Sequence, residues 1–121
     1  MNRVFVSLII LLVVFTTSSS FVNQTNQFFV QFRVTAISDN ESALAIDNKM
    51  KSKSGIIESR TDYVTGTYFC LLSADADYTK EDFENWFAKM GYSISCYNRG
   101  LQNTDMMVSP HILKDCVDEK K

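Results

Sequence analysis

Proline, glycine and histidine are scarce in this chain of 121 residues, which has one proline, four glycines and one histidine. So little proline and glycine excludes collagen-like and low-complexity sequence and favours a packed domain. A single histidine, no G-x-S-x-G motif and no cysteine next to a plausible base leave no nucleophile arrangement. We therefore expect that the protein is not an enzyme.

The chain also lacks an excess of basic residues and a long hydrophobic run. Lysine and arginine number 12 against 14 acidic residues, and no basic stripe interleaved with aromatics is present. This pattern excludes a nucleic-acid-binding protein by charge. The longest apolar run, Val4 to Phe15, is interrupted by Ser7 and is shorter than the about 20 residues that cross a bilayer.

The first twenty residues have the order of a secretory signal peptide: Arg3, the apolar run and then small polar residues. We place the cleavage after Ser20, with an uncleaved membrane anchor as the alternative. Export, periplasmic or extracellular, implies an oxidising compartment. The predicted organisation is a signal peptide over 1–20, a polar lead-in over 21–27, a domain over 28–98 and a tail with a short helix over 99–121.

The first predicted helix spans residues 40 to 53. Ser38 and Glu41 match a capping box at its start, and Gly55 matches the residue that follows a helix end. The apolar stripe that predicts its buried face is Ala43, Ile46 and Met50. The lysines near its end are interpreted as favourable to the helix dipole: Lys49, Lys51 and Lys53.

The second predicted helix carries the strongest helical pattern in the chain. Thr79 and Asp82 predict a capping box, and Gly91 predicts the end. Phe83, Trp86, Phe87 and Met90 recur at i, i+3, i+4 and i+7. Trp86 is therefore interpreted as a core residue rather than a binding residue.

Four strands surround these helices. Residues 28 to 37 alternate with period two and predict a strand. Residues 57 to 72 predict a hairpin that turns at Thr65-Gly66. Residues 93 to 97 predict a short strand, which ends in a turn at Asn98-Arg99-Gly100. The order predicts an α+β, ferredoxin-like βαββαβ sandwich. Its four-stranded antiparallel sheet has the order 4-1-3-2, with both helices on one face.

Residues 28 to 97 resemble the heavy-metal-associated domain family. The resemblance rests on FVQFRVTAI, KMKSKSGI, DYVTG and FAKMGYSI, and the exported form is similar to periplasmic mercury-binding proteins. The family binds metal through C-x-x-C between strand one and helix one, where this chain reads TAISDNESA. The resemblance therefore implies the fold and docking to partner domains, without the family's metal ligands. Asp39 and Glu41 are either helix caps or weak ligands of a hard cation.

Three cysteines are an odd number, so at least one thiol stays free or pairs with another chain. Cys96 is the favoured partner of Cys116, because the chain returns over strand four; unpaired thiols are the alternative. Cys70 is disfavoured, since two strand spacings, about 9.5 Å, exceed the about 7 Å limit between Cα atoms. We expect Cys70 to be a buried free thiol.

The segment TDMMVSPHILKDC, residues 104 to 116, gathers soft metal ligands. However, Ser109-Pro110 predicts a helix start, after which Ile112, Leu113, Cys116 and Val117 would form an apolar stripe. His111 and Cys116 would then lie about 140° apart around the helix and could not share an ion. We interpret the segment as a docking tail. The alternative ligand set is Met106, Met107, His111 and Cys116.

These patterns predict an exported, non-catalytic binding module without a cofactor. Its partner would be another exported protein, contacted through the edge of strand two or the loops near residue 39. We expect no nucleic-acid partner and no stable membrane insertion after signal cleavage. The alternatives are a periplasmic copper or zinc carrier that uses the tail ligands and a secreted inhibitor-like domain.

Overall fold

The computed structural model describes residues 26 to 118, and the predicted signal peptide lies outside them. The elements are β1 (Phe28–Val34), α1 (Asn40–Lys51), β2 (Ile56–Asp62), β3 (Thr67–Leu72), α2 (Lys80–Lys89), β4 (Ile94–Leu101) and α3 (Pro110–Leu113). The strands form one antiparallel sheet in the order β2-β3-β1-β4. The predicted α+β class with a four-stranded antiparallel sheet is confirmed. None of the helices within residues 26 to 118 is long and apolar enough to span a membrane.

The core lies between one face of the sheet and the two longer helices. Val30 and Phe32 of β1 are fully buried there with Ile46 of α1 and Phe83 and Phe87 of α2. The Phe32 ring packs against the Phe87 ring at a centroid distance of 5.0 Å, almost perpendicular to it. Because both helices contribute to one cluster, they cover the same face of the sheet.

The helix starts follow local capping chemistry, with one correction. Thr79 and Asp82 form the predicted capping box of α2. The predicted box at Ser38 is wrong: Asp39 is the N-cap of α1, and its carboxylate accepts the Ser42 amide at 2.7 Å. Asp39 is one residue nearer the helix and has a stronger acceptor, so it takes the cap.

A polar cluster ties α1 to the hairpin. The Asp47 carboxylate accepts hydrogen bonds from the Ser59 hydroxyl at 3.0 Å and from the Thr61 hydroxyl at 2.8 Å. The Ser59 hydroxyl also lies 2.7 Å from the buried Tyr68 hydroxyl. The side-chain oxygens of this cluster thus have hydrogen-bond partners, which offset the cost of removing them from water.

Strands one and four differ from the prediction at their ends. β1 stops at Val34, and Ala36 has a φ of 66°, so the chain turns before Ile37. The predicted turn at Asn98-Arg99-Gly100 is wrong, because β4 continues through these residues to Leu101. Polar and glycine residues suggested a turn, but here they pair with β1.

Candidate binding site

The outward face of β1 carries the C-terminal tail, residues 102 to 118. Phe29, Gln31 and Arg33 alternate with the core residues Val30 and Phe32 and so lie on the face opposite the helices. Arg33 donates a hydrogen bond from Nη1 to the Cys116 carbonyl. The face that a two-layer α+β sandwich leaves open is therefore partly covered by the chain's own tail.

Gln31 is the central attachment point. Its side-chain nitrogen donates to the Val108 carbonyl at 2.8 Å, and its oxygen accepts the Val108 amide at 2.7 Å. Asn98 of β4 donates to the same oxygen at 2.8 Å. Gln31 is 3% exposed, so these partners replace the hydrogen bonds to water that its carboxamide loses on burial.

Close contact near the start of β1 depends on Gly100. A Cβ at this position would lie 2.6 Å from the Phe29 ring and 2.8 Å from Asp105 Cβ. The Asp105 carboxylate accepts the Leu101 amide at 2.7 Å and closes the turn into the tail. Glycine thus allows the ring and the tail to approach the strand backbone closely.

The predicted pair Cys96 and Cys116 lies at disulfide distance, with Sγ atoms 2.13 Å apart and Cα atoms 6.3 Å apart. Cys96 has a φ of 57° at the irregularity where β4 shifts its register against β1. Its amide donates to the Asp118 carboxylate at 2.8 Å. Cys70 is the free thiol, and it is buried in the core as expected.

The tail helix is shorter than predicted. α3 ends at Leu113, and Ser109 occupies its N-cap without a side-chain bond to the amides of the described helix. Only Leu113 of the predicted apolar stripe is buried, whereas Ile112 and Val117 are exposed. The stripe is wrong because the helix ends at Leu113 and the chain continues in turns, so the later residues lose their helical spacing.

The alternative metal ligands are exposed or already engaged. Met106 is 91% exposed, Cys116 is engaged with Cys96, and His111 is exposed. Within residues 26 to 118, no group of three or more His, Cys, Asp or Glu side chains could hold a metal ion. The Asp39 carboxylate is engaged as a cap, and hydrogen bonds from Ser42 hold its pKa below the usual value.

A groove of about 350 Å³, hereafter the outer groove, lies between the tail and the hairpin. Its floor is formed by Gln31 of β1 and by Thr67 and Phe69 of β3. The tail side is lined by Met107, Val108 and Pro110, and Arg60 and Asp62 of the edge strand line the other side. The outer groove therefore offers apolar surface bordered by charges, a combination that suits a protein or peptide partner.

A second groove of about 540 Å³, hereafter the helix groove, lies between α1 and α2. Lys49, Lys53 and Lys89 line it together with Trp86 and Tyr92. The interpretation of Trp86 as a core residue is therefore only partly right, since this half-buried ring packs on the core and also lines a groove. The sequence did carry a signal for this groove: Lys49 and Lys53 are four residues apart, and Trp86 and Lys89 are three apart, so each pair would lie on one face of its helix.

Burial governs the titration of the core hydroxyl and thiol. It raises the pKa of the Cys70 thiol to about 12. It also raises the pKa of the Tyr68 phenol far above its usual value. Both groups are therefore neutral at physiological pH and unsuited to nucleophilic chemistry.

Comparisons with protein-family models, curated proteins and solved structures found no match to this chain.

Proposed function

We propose that this protein is an exported, non-catalytic binding module that contacts another exported protein through the outer groove. The observation that carries the proposal is the clamped tail: Met107, Val108 and Pro110 form one side of the groove, and the tail is held by Gln31 and by the Cys96–Cys116 pair. A preorganised surface loses less conformational entropy on binding than a mobile tail would.

The proposal includes the ferredoxin-like, heavy-metal-associated arrangement without its metal motif. The sheet order β2-β3-β1-β4 reads as 4-1-3-2 from the opposite edge. Helices α1 and α2 follow β1 and β3 and share one core cluster. These features support a βαββαβ sandwich to which α3 and the tail have been added.

Export is supported by the cysteine pair at disulfide distance, because disulfides persist in oxidising compartments. The edge strand β2 borders the outer groove through Arg60 and Asp62. The groove is therefore continuous with the strand edge through which we expect a partner to bind. Arg60 forms an exposed ion pair with Glu58 at 2.5 Å. Such a pair contributes little to stability and is free to exchange with a partner's charges.

Affinity capture followed by titration of variants at the adjacent positions Met106 and Met107 tests the proposal. The mature chain is immobilised and exposed to the extracellular or periplasmic fraction of the source cells, and the retained protein is then purified and titrated. Met107 lines the outer groove, whereas Met106 is exposed outside it. Met107→Glu should weaken binding by about tenfold or more, the size expected for a central interface residue. Met106→Glu is the matched control and should bind like the wild type; equal binding by both variants would refute the groove as the contact.

A further inference from the structure

The helix groove is lined by one sign of charge. Lys49, Lys53 and Lys89 converge on it, and none of its described lining residues is acidic. The only ion pair within residues 26 to 118 joins Arg60 to Glu58 elsewhere on the surface. The three ammonium groups therefore form an uncompensated positive cluster on a chain whose formal net charge is −2.

The lysines also repel one another. Lys53 lies over the Trp86 ring, with its Nζ 4.3 Å from the ring centroid. Burial lowers the pKa of Lys53, and the charges of Lys49 and Lys89 lower it further. A negative group placed among the three would relieve this repulsion, since opposite charges at short distance favour the charged forms.

Apart from Ser42, the rest of the groove lining is apolar and aromatic. Trp86 and Tyr92 lie beside Ala45, Ile46 and Met90. Trp86 is itself held in place by an edge-on contact with Tyr78 at 4.8 Å between centroids. A volume of about 540 Å³ is within the range of small-molecule sites.

We propose that the helix groove binds a small organic anion with a flat apolar body. The apolar body packs against Trp86 and Tyr92, and the anionic head lies among Lys49, Lys53 and Lys89. This site is on the opposite side of the sheet from the outer groove and does not depend on the proposed protein partner. Charge alone would favour any anion, but the aromatic surface selects one with an apolar face.

Trp86 provides the readout, because it is the only tryptophan in the chain. The probe is 8-anilino-1-naphthalenesulfonate, titrated into the folded protein while Trp86 fluorescence is followed. We expect saturable quenching with a dissociation constant below about 1 mM. N-phenyl-1-naphthylamine, the same ring system without the sulfonate, should bind at least about fivefold more weakly.

Lysine variants locate the anionic head. Lys49→Gln and Lys89→Gln should each weaken sulfonate binding by about fivefold. Lys51→Gln is the matched control: Lys51 is on the same helix as Lys49 but does not line the groove. Raising the salt from about 0.02 M to about 0.5 M should weaken binding, because the Debye length falls to a few ångströms.

Three outcomes would overturn the proposal. The first is no saturable quenching in the folded wild type, with folding verified by circular dichroism. The second is an equal loss in Lys51→Gln and Lys89→Gln, which would indicate net charge rather than a site. The third is Trp86 quenching by phosphatidylglycerol vesicles without binding of the free sulfonate, which would assign the groove to a membrane surface instead.

Discussion

The Gln31 carboxamide pairs with both backbone polar groups of Val108, at 2.8 and 2.7 Å, across 77 residues of sequence. The Gln31 side chain thus makes with the tail the pair of hydrogen bonds that the backbone of a neighbouring strand would make. This pairing holds the middle of the tail between the Gly100 contact and the cysteine pair. The tail therefore docks on its own domain through β1.

Gln31→Leu should lower the free energy of unfolding by about 1–3 kcal/mol, because it leaves part-buried polar groups of Val108 without partners. Urea denaturation measures the change. Gln102→Leu is the control, since the buried Gln102 oxygen has no hydrogen-bond partner within residues 26 to 118. That variant should lose much less stability, and equal losses would show that the Val108 pairing contributes nothing specific.

Replacing Cys96 and Cys116 together with serine should lower the free energy of unfolding by about 3 kcal/mol. The two cysteines are 20 residues apart, and the entropic model assigns about this value to such a loop. Thiol titration in denaturant checks the pairing itself. We expect one thiol, that of Cys70, without reductant and three thiols after reduction; three before reduction would contradict the disulfide.

Stability should fall as the pH rises above about 9, because folding holds Cys70 neutral. The pKa of its thiol is about 12 in the folded chain, against a usual value of 9.0. Between these values the unfolded chain has released the proton and the folded chain has not, so each pH unit costs about 1.4 kcal/mol. Below pH 9 this contribution is complete, and above pH 12 it is lost.

The test compares wild type with Cys70→Ala by urea denaturation from pH 8 to pH 11. The variant should be less stable at pH 8, because it leaves a small cavity in the core. Its stability should decline less steeply above pH 9, although the raised pKa of Tyr68 still causes some decline above pH 10. Parallel pH profiles would mean that Cys70 does not carry the effect.

Gly100→Ala should release the tail, because the added methyl would meet Phe29 at 2.6 Å and Asp105 at 2.8 Å. We expect a loss of about 1–3 kcal/mol from overpacking, with faster hydrogen exchange at the Val108 amide. Gly91→Ala separates this effect from backbone strain, since Gly91 has a φ of 92° and open space around it. It should reduce stability without changing exchange at Val108; similar exchange in both variants would contradict the steric explanation.

The elements predicted best are those with local causes. α2 begins at the predicted capping box, and two of its predicted apolar residues, Phe83 and Phe87, are fully buried. The extent of β4 was missed because its polar residues have distant partners. Asn98 donates to Gln31 and Arg99 lies over the Phe28 ring at 4.8 Å, contacts that no local pattern reveals.

The candidate sites were predictable only in part. The hairpin followed from its strand and turn pattern, and the structure places it as expected. Cys96 was favoured as the partner of Cys116 because the chain was expected to return over strand four at Asn98-Arg99-Gly100; the two cysteines do lie at disulfide distance, although β4 continues to Leu101 before the chain returns. The helix groove was not predicted, although each of its faces was visible. Lys49 and Lys53 looked like favourable charges at a helix end, and only the packing of α1 beside α2 brings them to Trp86 and Lys89.

The sequence by itself determined the order of strands and helices and most of the buried residues of the two longer helices, because these depend on periodicity and capping over a few residues. The tertiary structure alone decided where the tail lies and which surfaces remain open. Gln31 and Gly100 meet their tail partners through contacts that only the assembled sheet creates. Such contacts depend on chain closure over tens of residues, which local sequence patterns do not encode.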